Sequence, residues 1–323
     1  TDYRKLLEEP GIDVIIIGTP DHWHCLPMVE SCQLGKDVYC EKPLGNSIEE
    51  INIMERAANK YNTVVQVGMW QRSDPHWRDA VDFVKSGKLG KIRTVRTWAY
   101  QGWMEPIPVK PDSAPPAGVD YDFWLGPAPY RPYNAHRTHG TFRGYWDYDG
   151  GGLGDMGQHY LDPVQYILGK DDELPVSVEI DADPQDTDAV GSWRRITYKY
   201  SDGTTIVLDG ENKDKDAAFI EGPEGKIFKG FKSDVKGFAE KVKSLPEPAP
   251  QVTDFHQAIR EKKKFALNEQ NGFNSCTLIN LGKIAHRLNA NLKFDPKKMK
   301  FVDNALANSL IDQPCREKWK LPV

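Results

Sequence analysis

Three short apolar runs separated by helix-like segments constrain the fold of the first part of this chain more than any other feature. The runs occupy residues 13–18, 37–40 and 63–68, and the segments between them, 24–34 and 47–61, have helical patterns. Strands joined by single helices at this spacing form a parallel sheet through right-handed crossovers. The sequence therefore predicts a parallel sheet whose carboxyl edge, where such sheets bind ligands, carries the chemistry.

The remainder of the chain predicts a different architecture. Strand-like runs occupy residues 176–180, 191–200, 204–208 and 226–231. The sequence Ser-Asp-Gly at 201–203 joins two of these runs and is a strong hairpin signal. We expect a mainly antiparallel sheet, then two helices at 253–261 and 275–288 and an irregular, lysine-rich tail. At 323 residues the chain is long enough for about two domains.

Composition excludes several classes of protein. A formal net charge of −5 without a long basic block argues against a dedicated nucleic-acid-binding protein. The longest strictly apolar run, residues 14–17, is far too short to span a membrane. The five cysteines are scattered and form no C-x-x-C pair, so a disulfide scaffold is not expected.

Residues that follow the predicted strands are candidates for binding or catalysis. Lys42 lies just beyond the second strand. A lysine in a loop is usually a solvated surface residue, but at this edge of the sheet a binding or catalytic role is equally well supported. His22 and His24 follow the first strand, but no acid or third imidazole follows at a recognisable spacing. We therefore predict no metal site.

A second candidate site lies where residues 152–157 match the pattern G-x-G-x-x-G. No strand pattern precedes the match, and Asp155 would place a negative charge beside a pyrophosphate, so we predict a turn leading into a helix. On that helix Asp155 and His159 are four residues apart and share one face. A carboxylate in this position can orient an imidazole that acts as a general base. A helix-start aspartate beside a purely structural histidine is the alternative.

Taken in order, these motifs resemble those of one family. Thr19-Pro20 with His24, the Glu-Lys-Pro sequence at 41–43 and Asp155 with His159 occur at fitting separations, together with residues 121–129 and 318–321. The set resembles the glucose–fructose oxidoreductase / inositol dehydrogenase / MocA family of NAD(P)-dependent sugar oxidoreductases. Within it, the sequence is similar to a bacterial branch that acts on glycosides or similar polyols.

The resemblance implies an α/β fold with two domains. Residues 1–92 would be the C-terminal half of a Rossmann-type parallel sheet. Residues 93–323 would form an α+β domain with a large, mostly antiparallel open sheet, and the helix near 275–288 would pack back on the first domain. The family also implies a homo-oligomer formed through that open sheet.

The resemblance also implies site residues and a cofactor, NAD or NADP. Catalysis would use Lys42, Asp155 and His159, which take the hydroxyl proton while a hydride passes to the nicotinamide. The cofactor would contact Thr19, Pro20, His24, Glu41, Lys42 and Pro43, the last of which is often preceded by a cis bond. Aromatic and cationic residues that would face a carbohydrate are Arg72, His76, Trp103, Arg143, Trp146 and Tyr148, although many aromatics must belong to the core.

The start of the chain and the exact reaction are less well defined by the sequence. A family member would place a strand and a glycine-rich loop before a segment such as residues 3–9, and the chain begins at Thr1 without Met. We therefore expect it to be the remainder of a longer polypeptide, and to bind NAD(P) poorly or not at all by itself, whereas the intact protein binds it. Nicotinamide-assisted glycoside hydrolysis or elimination, and a catalytically silent sugar-binding module, are the alternative functions. The sugar, the ring position and the compartment stay open.

Overall fold

The computed structural model describes residues 2–69, 71–73, 75–99, 111–211, 217–228, 231–245 and 253–320. The first elements alternate as predicted: α1 (Tyr3–Leu7), β1 (Val14–Ile17), α2 (Cys25–Gln33), β2 (Asp37–Cys40), α3 (Ile48–Tyr61) and β3 (Val65–Val67). The strands form a parallel sheet in the order β1-β2-β3. At the start of α3, Ser47 and Glu50 form a reciprocal capping box, which fixes where this helix begins.

A second sheet follows. Its elements begin with α4 (Pro75–Lys85), β4 (Thr94–Trp98), α5 (Tyr121–Leu125), α6 (Gly151–Leu168), β5 (Ser177–Ala182), β6 (Trp193–Lys199) and β7 (Thr205–Asp209). They continue with β8 (Ile220–Gly222), β9 (Gly225–Phe228), β10 (Lys232–Ser233), α7 (Phe238–Lys243), α8 (Phe255–Glu261), α9 (Glu269–Leu288), β11 (Leu292–Asp295), β12 (Lys300–Phe301) and α10 (Ala305–Ser309).

The second sheet has nine strands in the order β10-β9-β8-β4-β7-β6-β5-β11-β12. The pair β4–β7 is parallel, and the other neighbours are antiparallel. The hairpin predicted at 201–203 joins β6 and β7. A parallel sheet followed by a large, mostly antiparallel one confirms the predicted fold class.

The C-terminal region departs from the prediction in two ways. Helix α9 begins at Glu269 rather than near 275, because the side chain of Asn268 caps it by accepting from the backbone of Gln270 and Asn271. The tail is not irregular. Strand β11 pairs with β5 through the backbone and adds an edge to the large sheet, and β12 and α10 follow. Strands this short leave little periodicity in the sequence.

Helix α9 is buried along most of its length and contacts both sheets. A Cβ at Gly272 would lie 2.6 Å from Val67 of β3, and a Cβ at Gly282 would overlap the hydroxyl of Tyr198 of β6. These close approaches place α9 between the sheets, beside α3 and α6. They hold the start of α6 against the carboxyl ends of the parallel strands. Within the described parts of the chain, no helix is long and apolar enough to cross a membrane.

Candidate active site

Lys42 and Asp155 meet where the two sheets adjoin. Lys42 follows β2 directly and precedes a cis bond to Pro43. Its Nζ donates to the backbone carbonyl of Asp155 at 2.9 Å and to Oδ1 at 2.8 Å. Both side chains keep limited access to solvent, at 15% and 17% exposed. The pair is therefore accessible to a small ligand.

The glycine-rich segment that contains Asp155 lies inside helix α6 and not in a loop before it, so Asp155 is part of the first turns of this helix. The helix begins at Gly151, after Gly150 has turned the chain at a φ of +135°. A Cβ at Gly154 would overlap the carboxylate of Asp149, so this glycine lets the first turn pack on a buried acid. The pattern at 152–157 therefore serves helix packing, and no phosphate-binding loop forms there.

His159, one turn beyond Asp155, is oriented by a residue that the sequence did not identify. Its Nδ1 lies 3.0 Å from the side-chain nitrogen of Gln71, just after β3. The carboxylate of Asp155 instead faces Lys42 and Arg143. The pKa of His159 is lowered, chiefly by burial and then by Lys42, against the opposing charge of Asp155. A histidine in this environment is neutral near pH 7, so it can accept a proton.

Arg143 joins three carboxylates. Its Nη1 lies 3.2 Å from Asp21, 3.1 Å from Asp149 and 3.3 Å from Asp155. Burial raises the pKa of Asp21 to about 6, although Arg143 opposes the shift. Burial and the neighbouring Asp21 raise the pKa of Asp149 well above its usual range. Only Nη1 makes these contacts, and Arg143 also lines a cleft, so the expectation that it binds substrate hydroxyls stays a prediction.

His24 connects two loops of the site. Its Nδ1 lies 2.8 Å from the carbonyl oxygen of Pro43, and its Nε2 lies 3.0 Å from that of Thr19. The imidazole is fully buried and positions the loops after β1 and β2, and its expected place beside the cofactor stays a prediction. Glu41 is similarly engaged, since it accepts from the hydroxyl of Tyr39 at 3.1 Å and from the backbone of Lys42 at 3.2 Å.

A cleft of about 500 Å³ opens beside Thr19 and Arg143, and Lys42, Asp155 and His159 are not among its lining residues. The loop after β1 forms one wall, and aromatic and polar residues of the second domain form the other. Its lining comprises Gly18, Thr19, Pro20, Pro116, Val119, Trp124, Tyr133, Thr138, His139, Gly140, Phe142 and Arg143. Aromatic surfaces, polar groups and a volume of this size suit a small hydroxylated ligand next to a planar ring. Thr19 and Pro20, which were expected to contact the cofactor, both line this cleft.

Several predicted substrate residues are placed elsewhere. Arg72 is 2% exposed and pairs with Asp162 at 2.8 Å and Asp171 at 2.7 Å, so its donors are occupied. Tyr148 is 1% exposed and packs in the core. Trp146 lines a different cavity. These three corrections share a cause, since large aromatics and arginines also stabilise the interior.

The other two predicted substrate residues are not placed by the structure. Trp103 and the side chain of His76 lie outside the described residues.

His22, considered above as a metal ligand, has its Nε2 3.0 Å from the carbonyl oxygen of Trp124. The described residues contain no cluster of three potential metal ligands.

A parallel sheet, a mostly antiparallel sheet and a lysine–histidine site between them define a two-domain protein of the dinucleotide-binding class. The family profile described as the NAD-binding Rossmann fold of an oxidoreductase family matches residues 1–69. The profile for the C-terminal alpha/beta domain of the same family matches residues 77–321. The chain therefore belongs to the glucose–fructose oxidoreductase / inositol dehydrogenase / MocA family, as its motifs indicated.

Individual relatives include characterised dehydrogenases. Levoglucosan dehydrogenase of Pseudarthrobacter phenanthrenivorans is 26% identical over 170 residues, which are 53% of this chain and 36% of that protein. The NAD(+)-dependent scyllo-inositol 2-dehydrogenase of Bacillus subtilis is 36% identical over 90 residues, 28% of this chain and 26% of that protein. The alignments thus span well under half of these relatives.

A solved structure supports the fold over a longer span. The aldose-aldose oxidoreductase of Caulobacter crescentus, complexed with glycerol, superposes with a TM-score of 0.59 at 20% identity. The superposition covers 90% of this chain and 82% of that one.

Proposed function

We propose that this protein oxidises a hydroxyl group of a sugar, glycoside or polyol and that NAD or NADP accepts the hydride. The observation that carries the proposal is the Lys42–Asp155 pair, with His159 one turn further along α6, at the carboxyl edge of the parallel sheet. Arg143, which contacts Asp155, joins this group to the adjoining cleft. The substrates named for the relatives, levoglucosan and scyllo-inositol, support a hydroxylated ring as the substrate class.

The residues divide the proton chemistry between them. His159 is neutral near pH 7 because burial lowers its pKa, and its Nε2 accepts the hydroxyl proton when the amide oxygen of Gln71 faces Nδ1. The ammonium of Lys42 stabilises the negative charge that develops on the substrate oxygen. Asp155 holds the side chain of Lys42 in position, because its backbone carbonyl and its carboxylate both accept hydrogen bonds from Nζ. The cofactor, when bound, supplies the hydride acceptor, and Thr19 and Pro20 would line its nicotinamide end.

The test is an assay of NADH and NADPH formation by the full-length natural protein. Levoglucosan, scyllo-inositol and aryl glycosides serve as substrates. Lys42→Met should lower kcat by about 10²-fold or more, since it removes the charge beside the reacting oxygen. Lys60→Met, which removes an exposed charge from α3, should leave kcat unchanged. Equal activity of Lys42→Met and the natural protein would contradict the assigned role.

The same assay separates the alternative functions. Release of the aryl group without accumulation of NADH would indicate net hydrolysis or elimination on this scaffold. Saturable sugar binding without turnover of any substrate would indicate a binding module. Self-association through the large sheet is part of the proposal, and sedimentation equilibrium measures it.

A further inference from the structure

A second cavity, of about 470 Å³, lies outside the catalytic cleft. It is enclosed by α9, by the segment that precedes α6 and by residues 309–314. Its lining comprises Asn46, Pro129, Arg131, Trp146, Asp147, Asn280, Lys283, Ile284, Arg287, Ser309, Leu310, Asp312, Gln313 and Pro314. None of these residues lines the cleft beside Thr19. The cavity is therefore a separate candidate site.

Three cations line this cavity, and their partners differ. Arg131 is paired with Asp147 at 2.8 Å. The buried ammonium of Lys283 donates to the backbone carbonyl of Asn46 at 3.0 Å and to the side-chain oxygen of the same residue, both neutral acceptors. Among the described residues, the guanidinium of Arg287 has neither an ion pair nor a hydrogen bond. Arg287 is thus the cation whose donors are available to a ligand.

The surroundings of Arg287 are partly apolar and hold a second cation nearby. The side chain is partly buried, and its guanidinium lies 5.6 Å from the ring centre of Trp146. Burial and, more weakly, the neighbouring Arg131 lower the pKa of Arg287, although Asp147 and Asp188 oppose the shift. None of the Arg287 nitrogens is fully buried without a partner, so water reaches the guanidinium, and an oxyanion would replace that water with two parallel charge-assisted bonds. Asp312, the remaining acid in the lining, lies beyond ion-pair distance of it.

We propose that this cavity binds a small hydroxylated molecule with one carboxylate or phosphate group, and that Arg287 holds the anionic group. The volume matches that of a metabolite-sized ligand. The amides of Asn46, Asn280 and Gln313 give the walls a polar character that suits hydroxyl groups. The inference is independent of the proposed dehydrogenase function, because no residue of the catalytic cluster lines this cavity.

Calorimetric titration of the full chain tests the proposal, at constant ionic strength because screening alters charge interactions. Glucuronate and glucose 6-phosphate are the two probes, and they distinguish a carboxylate from a phosphate ligand. Glucose is the neutral control. We expect at least one anion to bind saturably and more tightly than glucose. Arg287→Gln should weaken that binding about tenfold or more, which corresponds to roughly 1.4 kcal/mol.

Matched variants make the outcome decisive. Arg260→Gln removes an exposed charge from α8 and should leave the affinity unchanged. Arg287→Lys keeps the charge without the planar fork and should give an intermediate affinity, which serves as the test if Arg287→Gln fails to fold. Absence of saturable binding by both anions would overturn the proposal. So would equal weakening by Arg260→Gln and Arg287→Gln, or binding of glucose as tight as that of the anions.

Discussion

Gln71 fixes the imidazole of His159 from outside the helix that carries it, with its side-chain nitrogen 3.0 Å from Nδ1. The amide oxygen of Gln71 is buried and has no hydrogen-bond partner among the described residues. An amide presents either its oxygen or its nitrogen to a ring nitrogen. If the oxygen faces Nδ1, this nitrogen carries the proton and Nε2 is free to accept one. If the NH₂ group faces Nδ1, Nε2 carries the proton and can donate it.

Gln71→Glu should therefore raise the pKa of His159, because a carboxylate at Nδ1 stabilises the imidazolium. The side chains have nearly the same shape, so the geometry is retained. An increase of about one pKa unit corresponds to roughly 1.4 kcal/mol and is measured by NMR titration of the histidine rings. Gln257→Glu, a change on α8, is the control. An unchanged pKa for His159 in Gln71→Glu would show that the contact does not govern its protonation.

The sequence predicts the elements that carry this site but not the contacts between residues far apart in the chain. Periodicity and strand order predicted the parallel sheet and the helix that carries Asp155 and His159. They also predicted that Lys42 lies at the ligand edge, because these features depend on local sequence. The contact of Gln71 with His159 spans 88 residues, and no local pattern marks such a pairing. Arg72 and Arg143 looked equally suited to bind hydroxyls, and only the folded structure shows that carboxylates occupy every guanidinium nitrogen of Arg72 but only Nη1 of Arg143.

Gly154→Ala should destabilise the protein, because the added methyl group would overlap the buried carboxylate of Asp149. Overpacking of this kind costs about 1–3 kcal/mol of unfolding free energy. Gly140→Ala is a matched control, since a Cβ there meets no atom within 4 Å. Urea denaturation measures both variants. Equal stability of the two would show that the start of α6 adjusts without cost.

The buried cluster of Arg72 with Asp162 and Asp171 should be a major determinant of stability. Arg72→Met leaves the fully buried Asp162 without its cation, and breaking such a pair costs about 3–5 kcal/mol. Arg56→Met removes an exposed guanidinium paired with Glu49 at 3.3 Å, and should cost no more than about 1 kcal/mol. Urea unfolding of both variants provides the comparison. A loss below about 1 kcal/mol for Arg72→Met would argue that water replaces the ion pairs.

The buried acid Asp21 should make stability depend on pH in the opposite direction from that of a salt-bridged surface acid. Its pKa is raised from 3.8 to about 6, mainly by burial. Between these two values the folded protein binds more protons at this carboxyl than the unfolded chain does. The unfolding free energy contributed by Asp21 is therefore greatest below pH 4, falls as the pH rises to about 6, and is constant above that.

Asp21→Asn should weaken this dependence, because the amide has no proton to lose and because losing the Asp21 charge also lowers the raised pKa of the neighbouring Asp149. We expect the unfolding free energy of the natural protein to fall by about 1–3 kcal/mol more than that of Asp21→Asn across the window. Asp183→Asn, at a side chain that is 83% exposed, is the control and should retain the natural profile. Urea denaturation at a series of pH values measures the difference. Parallel profiles for the natural protein and Asp21→Asn would show that Asp21 ionises as freely in the fold as in the unfolded chain.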